Sequence, residues 1–310
     1  MNIKELDEFL VCASKNGRYT IVELLIQAGA DVRAHDDSAL GFSAQYGYGD
    51  IVKLLLENGA NVHAENDESL ILGARDGHTT VVKLLLEYGA NIHTKNDFAL
   101  KLSALNGHYD VIKLLLEYGA DFNKLGCKNF RNLDYKIIQL CVEHEMAMQE
   151  LNEILILASK KGNYDIVKLL LENGADIHSN NDSALRSSAE KGHYDVVKLL
   201  LENGADTHTD DDSALRWSAE KGHYDVVKLL LENGANVHAH NDLALRWTSE
   251  NGHHDVVKLL LEYGANIHAC HGFLLKNSLA NEHFEVAKLL LDNGADKSVL
   301  TEEELALVGE

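Results

Sequence analysis

One pattern of apolar and polar positions recurs along most of the chain. Its clearest form is Gly192-His193-Tyr194-Asp195-Val196-Val197-Lys198-Leu199-Leu200-Leu201-Glu202-Asn203-Gly204-Ala205, which returns unchanged at 222–235. The apolar residues Val196, Val197, Leu199, Leu200 and Leu201 wrap more than one side of a helix that starts near Tyr194 and stops at Gly204. Such a helix needs neighbours on several sides, and stacked copies of itself provide them. Upstream, 183–191 predicts a shorter helix with Leu185, Ser188 and Ala189 facing inward. Asp182 stands where an N-cap carboxylate accepts an orphan backbone N–H, and Gly192 supplies the left-handed residue that ends the helix.

The anchoring glycine sets the period. It stands at Gly17, Gly47, Gly77 and Gly107, then at Gly162, Gly192, Gly222 and Gly252, 30 residues apart within each set. Position 282 continues the second set but holds Glu282. From Gly107 to Gly162 the gap is 55 residues, and Ile137-Ile138-Gln139-Leu140-Cys141-Val142-Glu143 fills it with a worn second helix. Four clear units, one degenerate unit, four clear units and one altered terminal unit make about ten repeats of 30 residues. The expected fold is an all-α solenoid of helix pairs. Its expected parts are a first block over 1–121, a degenerate connection over 122–152, a second block over 153–300 and a cap helix over 301–310. At the start, Lys4, Glu5, Asp7 and Glu8 are expected to give the first helix a polar outer side. At the end, Thr301-Glu302-Glu303-Glu304 predicts a capping box, with Leu305 and Leu307 laid on Val286 and Leu290.

The motif Ala-Leu-x-x-Ser-Ala-x-x-Gly-His-x-x-Val-Val-x-Leu-Leu-Leu-x-x-Gly-Ala-Asp resembles the ankyrin repeat, over nearly the whole chain except about 124–150 and the last ten residues. Two departures stand out. The family's unit has about 33 residues, and its Thr-Pro-Leu-His opening is here Ser183-Ala184-Leu185-Arg186. The missing residues fall where the family carries its projecting β-hairpin, so the resemblance implies an ankyrin-type solenoid with shortened hairpin fingers. This short, proline-free form is similar to the expanded ankyrin families of large DNA viruses that infect amoebae.

Charge narrows the class of partner. Lys and Arg number 28 against 49 Asp and Glu, a formal charge of −21 over 310 residues, and there is no proline. A generally basic surface for nucleic acid is excluded, because neutralising phosphates needs Lys and Arg in excess. The apolar runs, such as 154–158, fall far short of the about 20 residues that span a bilayer. Cys12, Cys127, Cys141 and Cys270 show no CxxC spacing and read as reduced thiols of a cytosol-like compartment. The acidic start of the chain lacks the apolar run of a signal peptide. A cytoplasmic monomer is expected, in the host cytoplasm if the chain is viral, with no membrane or nucleic-acid partner.

The 17 histidines include two rows at the repeat period. One is His63, His93, His178, His208, His238 and His268; the other is His78, His108, His193, His223 and His253. Equivalent positions in stacked helices lie about 8–10 Å apart, too far to share a zinc ion whose ligand nitrogens sit at about 2.0–2.1 Å. Each ring is expected to bond a loop carbonyl, with no metal site and no cofactor. No GxSxG, HExxH, Walker A or suitably placed GxGxxG is present, so no enzyme is expected.

One basic row stands out: Lys101, Arg186, Arg216, Arg246 and Lys276 share a repeat position. Asp97–Lys101, Asp182–Arg186, Asp212–Arg216 and Asp242–Arg246 are i,i+4 pairs with the acid first, which favours an internal ladder. Trp217 and Trp247 occupy the slot of Ser187, either wedged between helices or exposed as contact anchors. The resemblance implies that the turns and the ends of the first helices line a partner surface. The expected contact residues are Arg186, Lys191, Arg216, Trp217, Lys221, Arg246 and Trp247. The expected function is a non-enzymatic protein–protein interaction scaffold that binds a host or cellular protein through its concave face. One alternative is a substrate-recognition adaptor for a ubiquitin ligase, disfavoured because an F-box needs tens of residues and only 297–310 follow the last repeat. The other is an expanded-family copy without a dedicated partner.

Overall fold

A computed structural model describes residues 3–126, 134–144, 146–269 and 272–309 of the protein. The chain divides into two compact units, 1–147 and 148–310. The boundary falls inside the segment that the sequence sets aside as a connection.

The first unit holds four helix pairs. They are α1 (Ile3–Lys15) with α2 (Tyr19–Gln27), α3 (Ala34–Gln45) with α4 (Gly49–Glu57), α5 (Ala64–Arg75) with α6 (Thr79–Glu87), and α7 (Phe98–Leu105) with α8 (Tyr109–Glu117). A 3-10 turn, Phe122–Lys124, and α9 (Tyr135–Glu143) complete it. The worn second helix is therefore present: Asp134 caps it, and Ile138 and Cys141 are fully buried. Burial pushes the Cys141 thiol up, so it stays protonated and inert. Cys127 lies outside the described residues, as does Cys270.

The second unit opens with the longer α10 (Met148–Lys161), paired with α11 (Tyr164–Glu172). There follow α12 (Ser179–Glu190) with α13 (Tyr194–Glu202), α14 (Thr209–Glu220) with α15 (Tyr224–Glu232), α16 (Ala239–Glu250) with α17 (His254–Glu262), and α18 (Phe273–Ala280) with α19 (Phe284–Asp292). A 3-10 turn, Lys297–Val299, and the short α20 (Glu302–Leu307) end the chain. Within each unit, first helices pack on first helices of the next pair, and second helices on second helices. The middle leucine of each Leu-Leu-Leu run, from Leu55 to Leu290, has no exposed surface. Burying each contributes about 2 kcal/mol. No helix among the described residues is long and apolar enough to cross a membrane.

The shortened finger carries no regular strand, as its missing residues imply. No strand occurs among the described residues. Three consecutive residues in left-handed conformation turn the chain instead: His35-Asp36-Asp37, Glu65-Asn66-Asp67, Lys95-Asn96-Asp97, Asn180-Asn181-Asp182, Asp210-Asp211-Asp212 and His240-Asn241-Asp242. For L residues this conformation costs about 1–2 kcal/mol each, least for Asn and Asp. The right-handed first helix starts only after the turn, at Ser183 in α12.

The last residue of each turn repays that cost. Asp182 does not cap its helix, contrary to the expectation from sequence. Its Oδ1 instead accepts the backbone N–H of Asp206, in the next repeat, at 3.0 Å. The same rung, always 24 residues long, joins Asp7 to 31, Asp37 to 61, Asp67 to 91, Asp97 to 121, Asn152 to 176, Asp212 to 236 and Asp242 to 266, at 2.7–3.1 Å. The Asp side chains of the left-handed turns are buried. For Asp37, burial raises the carboxyl pKa above its ordinary value, and the bond from Asn61 works against the rise. The receiving residue closes its own loop, as Asn236 Oδ1 accepts from the His238 N–H at 3.0 Å. A buried charge-assisted bond contributes about 1.5–3 kcal/mol, enough to offset much of the turn's cost.

Both ends differ in part from expectation. Asp7 belongs to the first rung rather than to a polar outer side. Ile3, Phe9, Ile21 and Leu24 are exposed there. At the other end the capping box forms, with Thr301 Oγ1 accepting from Glu304 and Glu304 from the Thr301 N–H. Leu307 is 58% exposed, however, and Val308 takes the buried place beside the half-buried Leu305.

Three substitutions test this account through stability. Asp212→Ala leaves the Asn236 N–H unpaired and is expected to cost about 2–3 kcal/mol in urea unfolding. Asp212→Asn keeps an acceptor, as Asn152 does in its own rung, and is expected to cost about half as much. Glu282 keeps the left-handed conformation (φ 61°) that glycine adopts in the other units. Glu282→Gly is therefore expected to stabilise the terminal repeat by about 1 kcal/mol, read as a higher melting midpoint.

Candidate functional site

The two histidine rows do different work. In the row after the anchoring glycine, Nε2 donates to a carbonyl 33 residues back: His78 to Gln45, His108 to Arg75, His193 to Lys160, His223 to Glu190 and His253 to Glu220, at 2.9–3.0 Å. This is the loop-carbonyl bond expected from sequence. The ring of His223 also lies against Gly192, where an added Cβ would stand 2.6 Å from Nδ1. That glycine therefore provides both a positive φ and room for the next repeat's imidazole.

The other row departs from expectation. Nδ1 of His63, His93, His178, His208 and His238 donates to the carboxylate four residues on, the rung Asp itself, at 2.9–3.1 Å. A carboxylate that takes both a backbone N–H and an imidazole N–H fixes the turn and the rung together. His268 faces Gly272 at that spacing; its backbone N–H bonds Asn266.

The basic row is anchored by the same turns. The i,i+4 pairs with Asp97, Asp182, Asp212 and Asp242 do not form, because those carboxylates are committed to the rungs. Arg216 donates instead from Nη2 to the Asp210 carbonyl (2.7 Å) and from Nε to the Asp211 carbonyl (2.9 Å), and it is buried. Arg186 Nη2 reaches the Asn180 carbonyl at 2.9 Å, and its Nη1 the Asp210 carboxylate of the next turn at 3.2 Å. Lys101 Nζ bonds the Asn96 carbonyl at 2.7 Å. The guanidinium of Arg186 stands 5.8 Å from the centre of the Trp217 ring, and that of Arg246 stands 5.5 Å from Phe273. Trp217 and Trp247 are half-buried.

Lys191 and Lys221 remain exposed at the ends of α12 and α14. Each bonds the neighbouring Glu190 or Glu220 at 2.8 Å. The Lys191 ammonium holds the Glu190 carboxyl below its ordinary value, and Glu220 holds Lys221 above its own. The second unit thus presents Lys191, Lys221 and two tryptophan edges over Arg186 and Arg216, which are bonded to backbone carbonyls, and Arg246, which stands against Phe273.

The sequence reading missed a second set of surfaces. Grooves of about 460, 430 and 320 Å³ recur beside Tyr164, Tyr194 and Tyr224, each floored by a leucine of the next second helix. The signal was the tyrosine that opens these helices at the repeat period.

Comparison with protein-family models matches residues 3–66, 61–125, 155–241, 189–271 and 215–301 to the model described as ankyrin repeats (3 copies). The chain belongs to the ankyrin-repeat family. A search of curated proteins finds no match. As an ankyrin-repeat protein it belongs to a family of generally non-catalytic interaction scaffolds, and ankyrin repeats suggest protein partners. Its own turn chemistry sets the 30-residue ankyrin unit apart from one built on hairpins.

The arginine row is expected to matter for stability. Arg216→Ala leaves two turn carbonyls without their donor and should cost about 2 kcal/mol in urea unfolding. Lys191→Ala should leave the unfolding midpoint unchanged.

Proposed function

We propose that the protein is a non-enzymatic scaffold that binds a host or cellular protein through the turn and first-helix side of its second unit. The observation that carries this reading is the division of labour along that side. Arg186 and Arg216 are spent on backbone carbonyls, whereas Lys191, Lys221 and the edges of Trp217 and Trp247 stay accessible. Arg186, Arg216 and Arg246 hold this surface in place, and the lysines and tryptophans make the contacts. Lys191 and Lys221, each bonded only to the glutamate beside it, offer ammonium groups that an acidic patch of the partner can engage. Tryptophan edges supply the anchoring area that hot spots use. The setting we propose is the cytoplasm, that of an infected host if the resemblance to amoeba-virus repeats reflects origin, and the binding form is a monomer.

Affinity purification of the tagged full chain, followed by mass spectrometry, identifies the partner. With that partner, Lys191→Glu combined with Lys221→Glu is expected to slow association about tenfold at unchanged melting temperature. Unchanged binding by this double variant would overturn the assigned surface. Recovery of cullin- or Skp-type proteins would favour a ubiquitin-ligase adaptor instead, and no reproducible partner would favour a family copy without one.

A further inference from the structure

The position four residues after the last left-handed residue is a slot for a long cation in most repeats. Arg186, Arg216 and Lys101 fill it and bond back to turn carbonyls five or six residues earlier. In the second repeat the slot holds Gly41, and a Cβ added there would meet nothing within 4 Å. A cavity of about 170 Å³ opens above it, between α3 and α5, lined among others by Asp36, Phe42, Glu65 and Leu72.

The groups that receive a guanidinium elsewhere have counterparts in two residues that line this cavity, Asp36 and Glu65, and in His35, which adjoins the lining. The Asn180 carbonyl, six residues before Arg186, corresponds to that of His35. The Asp211 carbonyl, five before Arg216, corresponds to that of Asp36. The Asp210 carboxylate, 24 residues after Arg186 and 3.2 Å from its Nη1, corresponds to the carboxylate of Glu65. The neighbouring Glu68 is occupied by Lys95 at 3.0 Å, which leaves Glu65 as the rim acid. The His35 carbonyl accepts from Ser38 Oγ and keeps a second lone pair. Lys15 stands over one face of the Phe42 ring at 5.1 Å, so the ring is held in place from the side of α1.

We propose that this pocket binds an arginine side chain of a partner protein. The aliphatic stem lies along Phe42 and Leu72, and the guanidinium donates to the turn carbonyls of His35 and Asp36 and to Glu65. Arginine fits better than lysine because a planar fork reaches a carbonyl and a carboxylate at once, as Arg186 does. The inference rests on the scaffold reading only in assigning the arginine to a protein, and the pocket is tested without one.

The test titrates the full chain with N-acetyl-arginine amide and follows backbone amide signals by NMR. The neutral citrulline analogue serves as the control. Saturable shifts are expected at 36–42 and 65–72, with the citrulline analogue binding about tenfold more weakly and Glu65→Gln weakening the arginine probe several-fold. Gly41→Arg is expected to fill the slot from within, raise the melting temperature and abolish the shifts. Absence of saturable shifts there, or equal binding of the two probes, would overturn the proposal. So would a Gly41→Arg chain that melts lower and still binds. A failed titration beside a partner recovered by purification sinks the pocket and leaves the scaffold. A positive titration with no recoverable partner does the reverse.

Discussion

A single buried hydrogen bond, donated by a backbone N–H of one repeat to the carboxylate that ends the left-handed turn of the repeat before it, organises this molecule. It spans 24 residues each time, and recurs three times in the interior of each unit as Asp37, Asp67 and Asp97, then Asp182, Asp212 and Asp242. Apolar stacking of the Leu-Leu-Leu runs is larger in total but tolerant of sliding. The rung is directional and short, so it fixes the register of one repeat on the next. The imidazole four residues earlier adds a second donor to the same oxygen and ties the rung to the local turn.

The 30-residue period is a consequence of that turn. A left-handed triplet reverses the chain in three residues, where a hairpin needs strands on both sides. The triplet is costly for most side chains, which explains why Asn, Asp and His dominate it. It also excludes proline, whose ring fixes φ near −65° and which has no N–H to give. The backbone N–H of each rung Asp bonds the carbonyl four residues earlier, as Asp182 does with His178.

Most of the fold was legible because its signals are local and repeated. The glycine spacing gave the units, the Leu-Leu-Leu runs the second helices, and Ile137 to Glu143 the worn helix that the structure places at α9. What stayed hidden was the fate of each carboxylate. From sequence Asp182 reads as a helix cap and as the partner of Arg186, and only the distance to Asp206 shows that it serves the next repeat. Taking those two roles misplaced the aspartates and, with them, the arginines. Arg216 is held by backbone carbonyls that a sequence cannot display, since every residue has one. The clue lay in the Asn/Asp pair that ends the turn before six of the first helices, which signals left-handed backbone as well as capping.

This arrangement leaves one slot free to vary from repeat to repeat. Stacking draws on the rung, the left-handed residue before the second helix and the leucines in nearly every repeat. The position four residues after the rung Asp is held by the turn only when its side chain reaches back. The chain accordingly places Gly41, Ile71, Lys101, Arg186, Arg216, Arg246 and Lys276 there without altering the helices around it. Where the side chain is long and basic, it satisfies turn carbonyls from within. Where it is absent, the same carbonyls face a cavity rimmed by acid. Under the proposed pocket, recognition depends on which repeats complete their own turn and which leave it to another molecule.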